Sequence, residues 1–398
     1  MRLYKIIAAV MICMMTAVGL AGCTTFDNFK EAFLEKSKSK DVTIQIGIFE
    51  PMSGADRKAA EAEIAGIELA NEVYPNADGK IVELLYSDNS SDISAAETAI
   101  TDLISKKPDI ILGSYGSVYS MVAGSYINDA QIPAIAITNS NPLVTKNYNY
   151  YFRVCYVDSN QGDLLARYVL EYKKESVAGV MLPDGDDAAM ATTTAFIDRI
   201  EAETENDDAI IAYEKYKPGE KDFSEQLESI RNSGVKSVLL PGDVNDSVNI
   251  MKQAESMGLD VVFLGDADWA TKEFKNHVKK DVSKEHMAFV NFFDKSEAVN
   301  EESETFLKAY KEKYGSDKEP NDSVALGYDA YVIALDAISK AGDNATGEEI
   351  RKVLAGAHEF KGASGNITFN TSGDPIRTAY ISTWDGSKMT SIYTVNPN

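Results

Sequence analysis

Thr43-Ile44-Gln45-Ile46-Gly47-Ile48-Phe49 decides the fold once it is read with the residues on its C-terminal side. It is a β-rich run. After a short loop, residues 58–74 carry Ala60, Ile64, Ile67, Asn71 and Tyr74 at spacings of 4, 3, 4 and 3. Those spacings predict a helix, and Pro75 ends it. The alternation continues. Residues 81–86 read as a strand, and Ser94-Ala95-Ala96-Glu97 as a capping box that opens a helix with Ile93, Ala96, Ile100 and Leu103 on one face. Residues 109–112 and 133–137 read as strands, with a helix over 118–129 between them.

A second series comes next. Residues 177–182, 209–213, 237–240 and 261–264 are strand candidates, separated by helices over 188–201, 223–232 and 244–257. Apolar strands alternating with amphipathic helices imply parallel sheets covered on both faces. The fold class is therefore α/β, with two doubly wound parallel-sheet lobes. Three stretches can join them: residues 149–158, 288–294 and 360–378. Helices return between the last two: one over 301–314, one from Pro320 as an N1-type start to Ala341, and one opened by a capping box at Thr346–Glu349. Residues 379–383 and 389–395, around Asp385-Gly386, read as a β-hairpin.

The N-terminus gives the compartment. Arg2 and Lys5 precede an apolar run over residues 6–20, and Leu20-Ala21-Gly22-Cys23 puts small residues before a cysteine. A basic start, a short apolar run and a small-residue processing site make a secretory signal. The run is too short for a membrane span, which needs about 20 residues. The segment resembles a bacterial lipoprotein signal, in which the cysteine is acylated and becomes the mature N-terminus. The alternative is an ordinary signal peptide with a chance cysteine. On the first reading residues 1–22 are removed, Cys23 carries lipid, and residues 23–41 form a polar tether. Lobe 1 is then 42–155 plus 292–360, and lobe 2 with the hinge is 156–291 plus 361–398.

Composition agrees with export. The chain has 39 Lys+Arg against 62 Asp+Glu, a net charge of −23. So acidic a chain has no basic field with which to bind nucleic acid or anionic lipid. Of its three cysteines, Cys13 leaves with the signal and Cys23 is committed to lipid. Cys155 is left alone in an apolar run, where burial explains it better than reactivity.

The order of elements is similar to the type I periplasmic binding fold, and specifically to the leucine/isoleucine/valine-binding family of ABC-transporter receptors. Residues 46–54, IGIFEPMSG, resemble its first strand and Pro-x-Ser-Gly loop; 66–70, GIELA, its first helix. Residues 111–117, ILGSYGS, and 132–142, IPAIAITNSNP, resemble its two central ligand loops. YFRV at 151–154 resembles the first crossover, and ALGYDA at 325–330 and GNITF at 365–369 its last third. The resemblance runs from about residue 42 to the end. It implies a small amino-acid-like ligand bound between the lobes, ABC permease subunits as partners, a membrane reached through lipid, no cofactor, no metal and no nucleic acid.

In doubly wound sheets ligands sit beyond the carboxyl ends of strands. Gly113 to Ser117, with Tyr115, is such a strand end, and Ser117 reads as the cap of the following helix. Its hydroxyl and the free N–H groups suit a ligand carboxylate without a protein cation; the plain reading is a cap alone. The resemblance assigns Thr138 and Ser140, in a loop with Asn139, to the ammonium and carboxylate of an amino acid; the plain reading is a turn before Pro142. Glu50 and Met52 fall near the pocket mouth. Arg57 reads as a solvated helix-start residue or as a partner for an acidic ligand group.

The second lobe departs from the family. Ala188-Ala189 stands where many members have Tyr-Gly, and Ala267 stands where many have a Glu or Asp for the ammonium. Asp266 or Asp268 is the candidate replacement, against a reading of both as solvated loop acids. Trp269 either walls an apolar side-chain pocket or packs the lobe. Asp184, Asp186 and Asp187 lack the spacing of an EF-hand loop. His277, His286 and His358 form no H-x-x-x-H pair, and no G-x-S-x-G elbow occurs, so the chain is not expected to be an enzyme. A ligand-sensing receptor coupled to a signalling partner, or binding of an amide or other small carboxylate, are the alternatives to import of an amino acid.

Overall fold

The computed structural model describes residues 43–278, 281–296, 298–386 and 388–397. The signal segment 1–22, Cys13, Cys23 and the tether to residue 41 lie outside the described residues.

Lobe 1 is built on six strands: β1 (Thr43–Glu50), β2 (Asn76–Ala77), β3 (Lys80–Asp88), β4 (Ile110–Gly113), β5 (Ala134–Ala136) and β6 (Tyr151–Arg153). Their order is β2-β3-β1-β4-β5-β6, parallel except for the β2–β3 pair. Helices α1 (Arg57–Val73), α2 (Ile93–Ser105) and α3 (Ser117–Ala130) make the crossovers. Strand β4 is buried along its whole length, as a central parallel strand covered on both faces must be.

Lobe 2 opens with α4 (Asp158–Arg167) and continues through β7 (Ala178–Pro183), α5 (Asp187–Thr204), β8 (Ile210–Tyr216), α6 (Ser224–Ser233), β9 (Ser237–Leu239), α7 (Val244–Met257), β10 (Val262–Gly265), α8 (Lys272–Val278) and β11 (Met287–Asn291). The chain then returns to lobe 1 as α9 (Glu301–Tyr314), α10 (Asp322–Ala341) and α11 (Gly347–Leu354), with α10 packed along α1. A small antiparallel sheet, β12 (Phe360–Gly362), β13 (Gly365–Phe369) and β14 (Pro375–Arg377), leads back to lobe 2. There the hairpin β15 (Ala379–Asp385) and β16 (Lys388–Val395) adds antiparallel to β11, giving the order β16-β15-β11-β10-β9-β7-β8.

The alternation expected from the sequence is present, with differences at helix ends. Helix α2 begins at Ile93, and its cap is Asp92, whose side chain accepts from the Ala95 N–H at 2.9 Å, so no capping box forms at Ser94. A carboxylate at a helix N-terminus also meets the positive end of the helix dipole, which a serine does not. Helix α10 is capped by Asn321, one residue after Pro320. The Thr346–Glu349 box forms as the sequence predicts.

Helix α4 has no counterpart in the sequence reading. Its first half is Asp-Ser-Asn-Gln-Gly-Asp, which lacks helical periodicity, and Gly162 lowers its propensity. The glycine is required by packing, because a Cβ there would lie 2.1 Å from the Thr192 carbonyl of α5.

The chain passes between the sheets three times, after β6, after β11 and through β12–β14. The buried Arg377 joins these passages. Its guanidinium donates to the Val154 carbonyl at 2.9 Å, to the Phe292 carbonyl at 2.6 Å and to the Ser364 carbonyl at 3.4 Å. The Tyr156 hydroxyl donates to the Arg377 carbonyl. Cys155 lies beside this knot, buried, and burial pushes its thiol up to about 12. It is therefore a packing residue.

Candidate ligand-binding cleft

The carboxyl ends of β1, β4 and β5 open toward those of β7, β9 and β10. Contacts across the gap show that the lobes meet there. The Asp158 N–H of α4 donates to the Ser140 carbonyl of lobe 1 at 3.1 Å. Tyr115 of lobe 1 has its hydroxyl pushed up to about 12, by burial first and then by the charges of Asp268, Glu63, Asp56 and Glu273. Asp268 and Glu273 belong to lobe 2, so Tyr115 faces it.

The lobe 1 face is built from two loops. Gly113 has φ +108, and a Cβ on it would fall 2.2 Å from the Phe49 carbonyl. Only glycine lets β4 turn this close to β1. The turn is pinned from behind. Tyr151 donates its hydroxyl to the Gly113 carbonyl at 2.9 Å, Asn89 donates to the Ser114 hydroxyl at 2.7 Å, and the Tyr115 N–H donates to Glu50 Oε2 at 2.7 Å. Helix α3 begins at Ser117, and Gly116 is its cap, without a side-chain acceptor. The expected capping by Ser117 is thus corrected. A serine inside the first turn leaves the helix's leading N–H groups uncapped by any side chain, and its hydroxyl accepts from the Asn141 N–H at 3.4 Å. Such a helix start suits an anion.

The second loop carries Thr138, Asn139 and Ser140. The Thr138 hydroxyl donates to Glu63 Oε1. Asn139 is buried, its carbonyl accepts from Arg153 at 2.6 Å, and its side-chain amide has no hydrogen-bond partner among the described residues. Arg153 is itself paired with Asp374 at 2.7 Å, so it fixes this loop to the strap before β14. Ser140 is half-buried against Asp158, whose carboxyl it hydrogen-bonds.

The lobe 2 face is acidic. Asp186 caps α5 through the Ala189 N–H at 2.9 Å, Asp243 caps α7 through the Asn245 N–H at 2.8 Å, and Asp266 caps the short turn 267–270 through the Asp268 N–H at 3.0 Å. Asp266 is held well above the usual carboxylate range by desolvation first, then by the charges of Asp268, Asp158 and Asp186. Asp268 is raised by desolvation, then by Asp158, Asp243 and Glu273. Asp266 is half-buried and Asp268 exposed. Among the described residues, no cation is among the main charges acting on either residue. The Gln161 side chain of α4 accepts from the Ala267 N–H at 2.9 Å and fixes the turn.

Of the residues singled out in the sequence, Tyr115, Ser117, Thr138, Asn139, Ser140, Asp266 and Asp268 come together at this cleft. Trp269 does not. It is fully buried in the lobe 2 core, stacked on Phe274 with ring centroids 4.6 Å apart. Its indole has no surface to give to a ligand, because the turn after Asp266 aims it inward under Gly265. Met52 is half-buried against the lobe 1 core, with its N–H on Asp88 at 2.8 Å. Glu50, expected at the pocket mouth, is fully buried behind the loops. Arg57 is exposed and paired with Glu61 at 3.2 Å, so it does not face a ligand. Glu63 and Asp158 were missed: Glu63 sits on the buried face of a helix read only for its apolar stripe, and Asp158 opens the helix that was not foreseen. A separate groove of about 650 Å³ lies between α4, α5 and the strap at 370–376. Its arginines, Arg167 and Arg199, are spent on Glu171, Asp163 and Glu203.

Two doubly wound lobes around such a cleft define a two-lobed solute-binding protein. Residues 43–388 match the family model described as periplasmic binding protein, and the chain belongs to that family. It is 24% identical over 341 residues to the leucine-, isoleucine-, valine-, threonine- and alanine-binding protein of Pseudomonas aeruginosa, covering 83% of this chain and 87% of that one. A Leu/Ile/Val-binding protein homolog of Brucella abortus is 22% identical over 345 residues, covering 85% and 89%. Among solved structures, a leucine binding protein from Thermotoga maritima superposes with a TM-score of 0.75 at 26% identity, over 89% of this chain and 99% of that one. The branched-chain amino acid transporter substrate binding protein of Streptococcus pneumoniae, in complex with isoleucine, gives 0.74 at 26% identity, over 89% and 100%. Among the described residues no helix is long and apolar enough to cross a membrane.

Proposed function

We propose that the chain is the ligand-capturing lipoprotein of an amino-acid ABC importer, tethered outside the cytoplasmic membrane through lipid on Cys23. The ligand is an amino acid, with its carboxylate on the α3 N-terminus and the Ser117 hydroxyl and its ammonium toward Asp266 and Asp268. Closure of the lobes about the Arg377 knot removes it from water before delivery to permease subunits. No bond is made or broken.

The observation that carries this reading is the pairing of unlike faces: hydrogen-bond donors without a cation on lobe 1, opposite carboxylates without a cation on lobe 2. A zwitterion satisfies both at once. An acidic side chain would meet the charges of Asp158, Asp266 and Asp268, so dicarboxylates and aromatic acids are disfavoured. The relatives that bind leucine, isoleucine or valine support a neutral amino acid as the first choice.

Thermal-shift screening of the twenty amino acids, with benzoate and succinate as controls, tests it. A ligand at ~100 times its Kd adds about 2.7 kcal/mol. Stabilisation by neutral or basic amino acids, and none by aspartate, glutamate or the controls, is expected. Stabilisation by benzoate or succinate alone would overturn the assignment of the two faces.

A further inference from the structure

Behind the lobe 1 face lies a pair of carboxyls closed off from solvent. Glu50 ends β1, and Glu63 is on the inner face of α1; both have no accessible surface. One oxygen of each is spent on a ligand loop. Glu50 Oε2 accepts the Tyr115 N–H at 2.7 Å, and Glu63 Oε1 accepts the Thr138 hydroxyl. The remaining oxygens, Glu50 Oε1 and Glu63 Oε2, are buried and have no hydrogen-bond partner among the described residues, and the two carboxyls lie close enough for the charge of Glu63 to raise Glu50. Two adjacent buried carboxyls, each with an unpaired oxygen, are both satisfied by one shared proton.

We propose that Glu50 and Glu63 act as one positioning unit that holds a single proton, ties both ligand loops together, and presents Thr138 to the ligand as an acceptor only. The inference rests on the reading of the cleft as an amino-acid site. A hydroxyl has one proton to donate. With that proton committed to Glu63, the free lone pairs of Thr138 suit a ligand ammonium and not a carboxylate. Lobe 1 therefore sets the orientation of the amino acid before lobe 2 closes. Ser117 is the carboxylate pole and Thr138 the ammonium pole, with Glu63 as countercharge one bond behind.

The surroundings make the proton matter. Tyr115 faces the pair from the β4–α3 loop, Tyr151 from β6 and Cys155 from the first crossover, with Arg153 acting on Tyr151 and Cys155. From α10, Gly327 presses on the Glu63 backbone, where a Cβ would come within 2.2 Å of its carbonyl. The one cation among these, Arg153, is committed to Asp374 and to the Asn139 and Asn141 carbonyls. Burial raises both acids: Glu50 lies well above the ordinary range, with the charge of Glu63 adding to the effect, and Glu63 is at about 7. Loss of the shared proton leaves two adjacent buried carboxylates, whose repulsion separates the loops. Ligand affinity then falls as pH rises.

The test has two arms. In ligand-free protein carrying 13C-carboxyl glutamate, NMR between pH 5 and 8.5 should show a glutamate carboxyl titrating far above the ordinary range. The signal should be absent in E50Q. In calorimetry with L-isoleucine, wild-type affinity should weaken about tenfold between pH 6 and 8.5, as it does when binding raises the pKa of one group by about one. E50Q supplies both hydrogen bonds with no proton to lose, so its affinity should be the same at both pH values. E63Q likewise accepts the Thr138 proton on its amide oxygen and donates its amide N–H to Glu50, so its affinity should also be the same at both pH values. A flat wild-type profile, or a pH dependence retained in E50Q or E63Q, would overturn the proposal. If L-isoleucine does not bind wild type at pH 6, the amino-acid reading loses its first choice. The pair is then decided by the ligand-free arm, where ordinary titration of every glutamate overturns it.

Discussion

Lobe 1 meets the cleft with hydroxyls and backbone N–H groups, and keeps its two acids out of sight, buried and sharing a proton. Lobe 2 meets it with carboxylates, of which Asp186, Asp243 and Asp266 are partly spent on helix or turn starts and Asp268 is not. The first face is preorganised by hydrogen bonds and costs little to leave as it is. The second stores repulsion that a ligand ammonium relieves. On the proposed reading the difference gives an order: the ligand docks on lobe 1, and its positive end draws lobe 2 shut.

The contrast between faces needs lobes that are coupled, and the severest challenge to it is at the knot. Arg377→Met leaves the Val154 and Phe292 carbonyls without their donor. It also removes the charge that steadies Asp322 and Asp329. Loss of a buried, fully bonded charge should cost ~3–5 kcal/mol in urea unfolding. A loss under ~1 kcal/mol would mean that the passages between lobes are held by something else.

Next in size is the pH dependence of the ligand-free protein. Buried Glu50, Glu63, Asp322 and Asp329 all have raised folded values, with Glu63 and Asp322 at about 7 and Asp329 at about 6. Raised carboxyls bind more protons folded than unfolded. Their contribution is therefore complete below the unfolded value and is lost as pH rises through the folded ones. Stability should fall as pH rises from about 4 to 8, by up to ~1.4 kcal/mol per pH unit for each group still protonated. A rise over that window would show the carboxyls to be charged and paired.

Asp268→Asn probes the lobe 2 face directly. It should weaken amino-acid binding about tenfold, as loss of a charged hydrogen bond does, while raising the melting temperature of the ligand-free protein by relieving repulsion. Binding and stability moving together would contradict a face kept under tension for its ligand. Ser117→Ala on the opposite face should cost about 1 kcal/mol of binding, measured by calorimetry, with no gain in stability. Smallest of all, Trp269→Phe should leave affinity unchanged and lower stability alone.

Much of the scaffold was legible from periodicity. Strands β1, β4 and β10 and helices α7 and α9 announce themselves because a parallel sheet buries whole apolar runs. Helix α4 did not, because Gly162 serves a contact with Thr192 that no local pattern records. The cap of α2 was misplaced because Ser94 and Asp92 both satisfy the local rule, and the backbone entering the helix chose between them. In the site, the two loops were legible from their glycines and hydroxyls at strand ends, and Asp266 and Asp268 from the departure they mark. Trp269 was not, since a tryptophan beside a binding loop looks the same whether it faces in or out.

Spacing and composition alone settle the alternation of strand and helix, the two lobes, the loops that end β4 and β5, and the surplus of acid. Such signals act over a few residues or over the whole chain, so they survive without a fold to read them in. Which acids face the ligand and which hide behind it is settled only by packing. Glu50 and Glu63 lie 13 positions apart in sequence yet meet because β1 and α1 fold back on each other. Asp158 reaches Asp266 because α4 packs where β10 ends. A carboxyl's charge depends on its neighbours and its access to water, and both are set by the tertiary arrangement rather than by the residue's name.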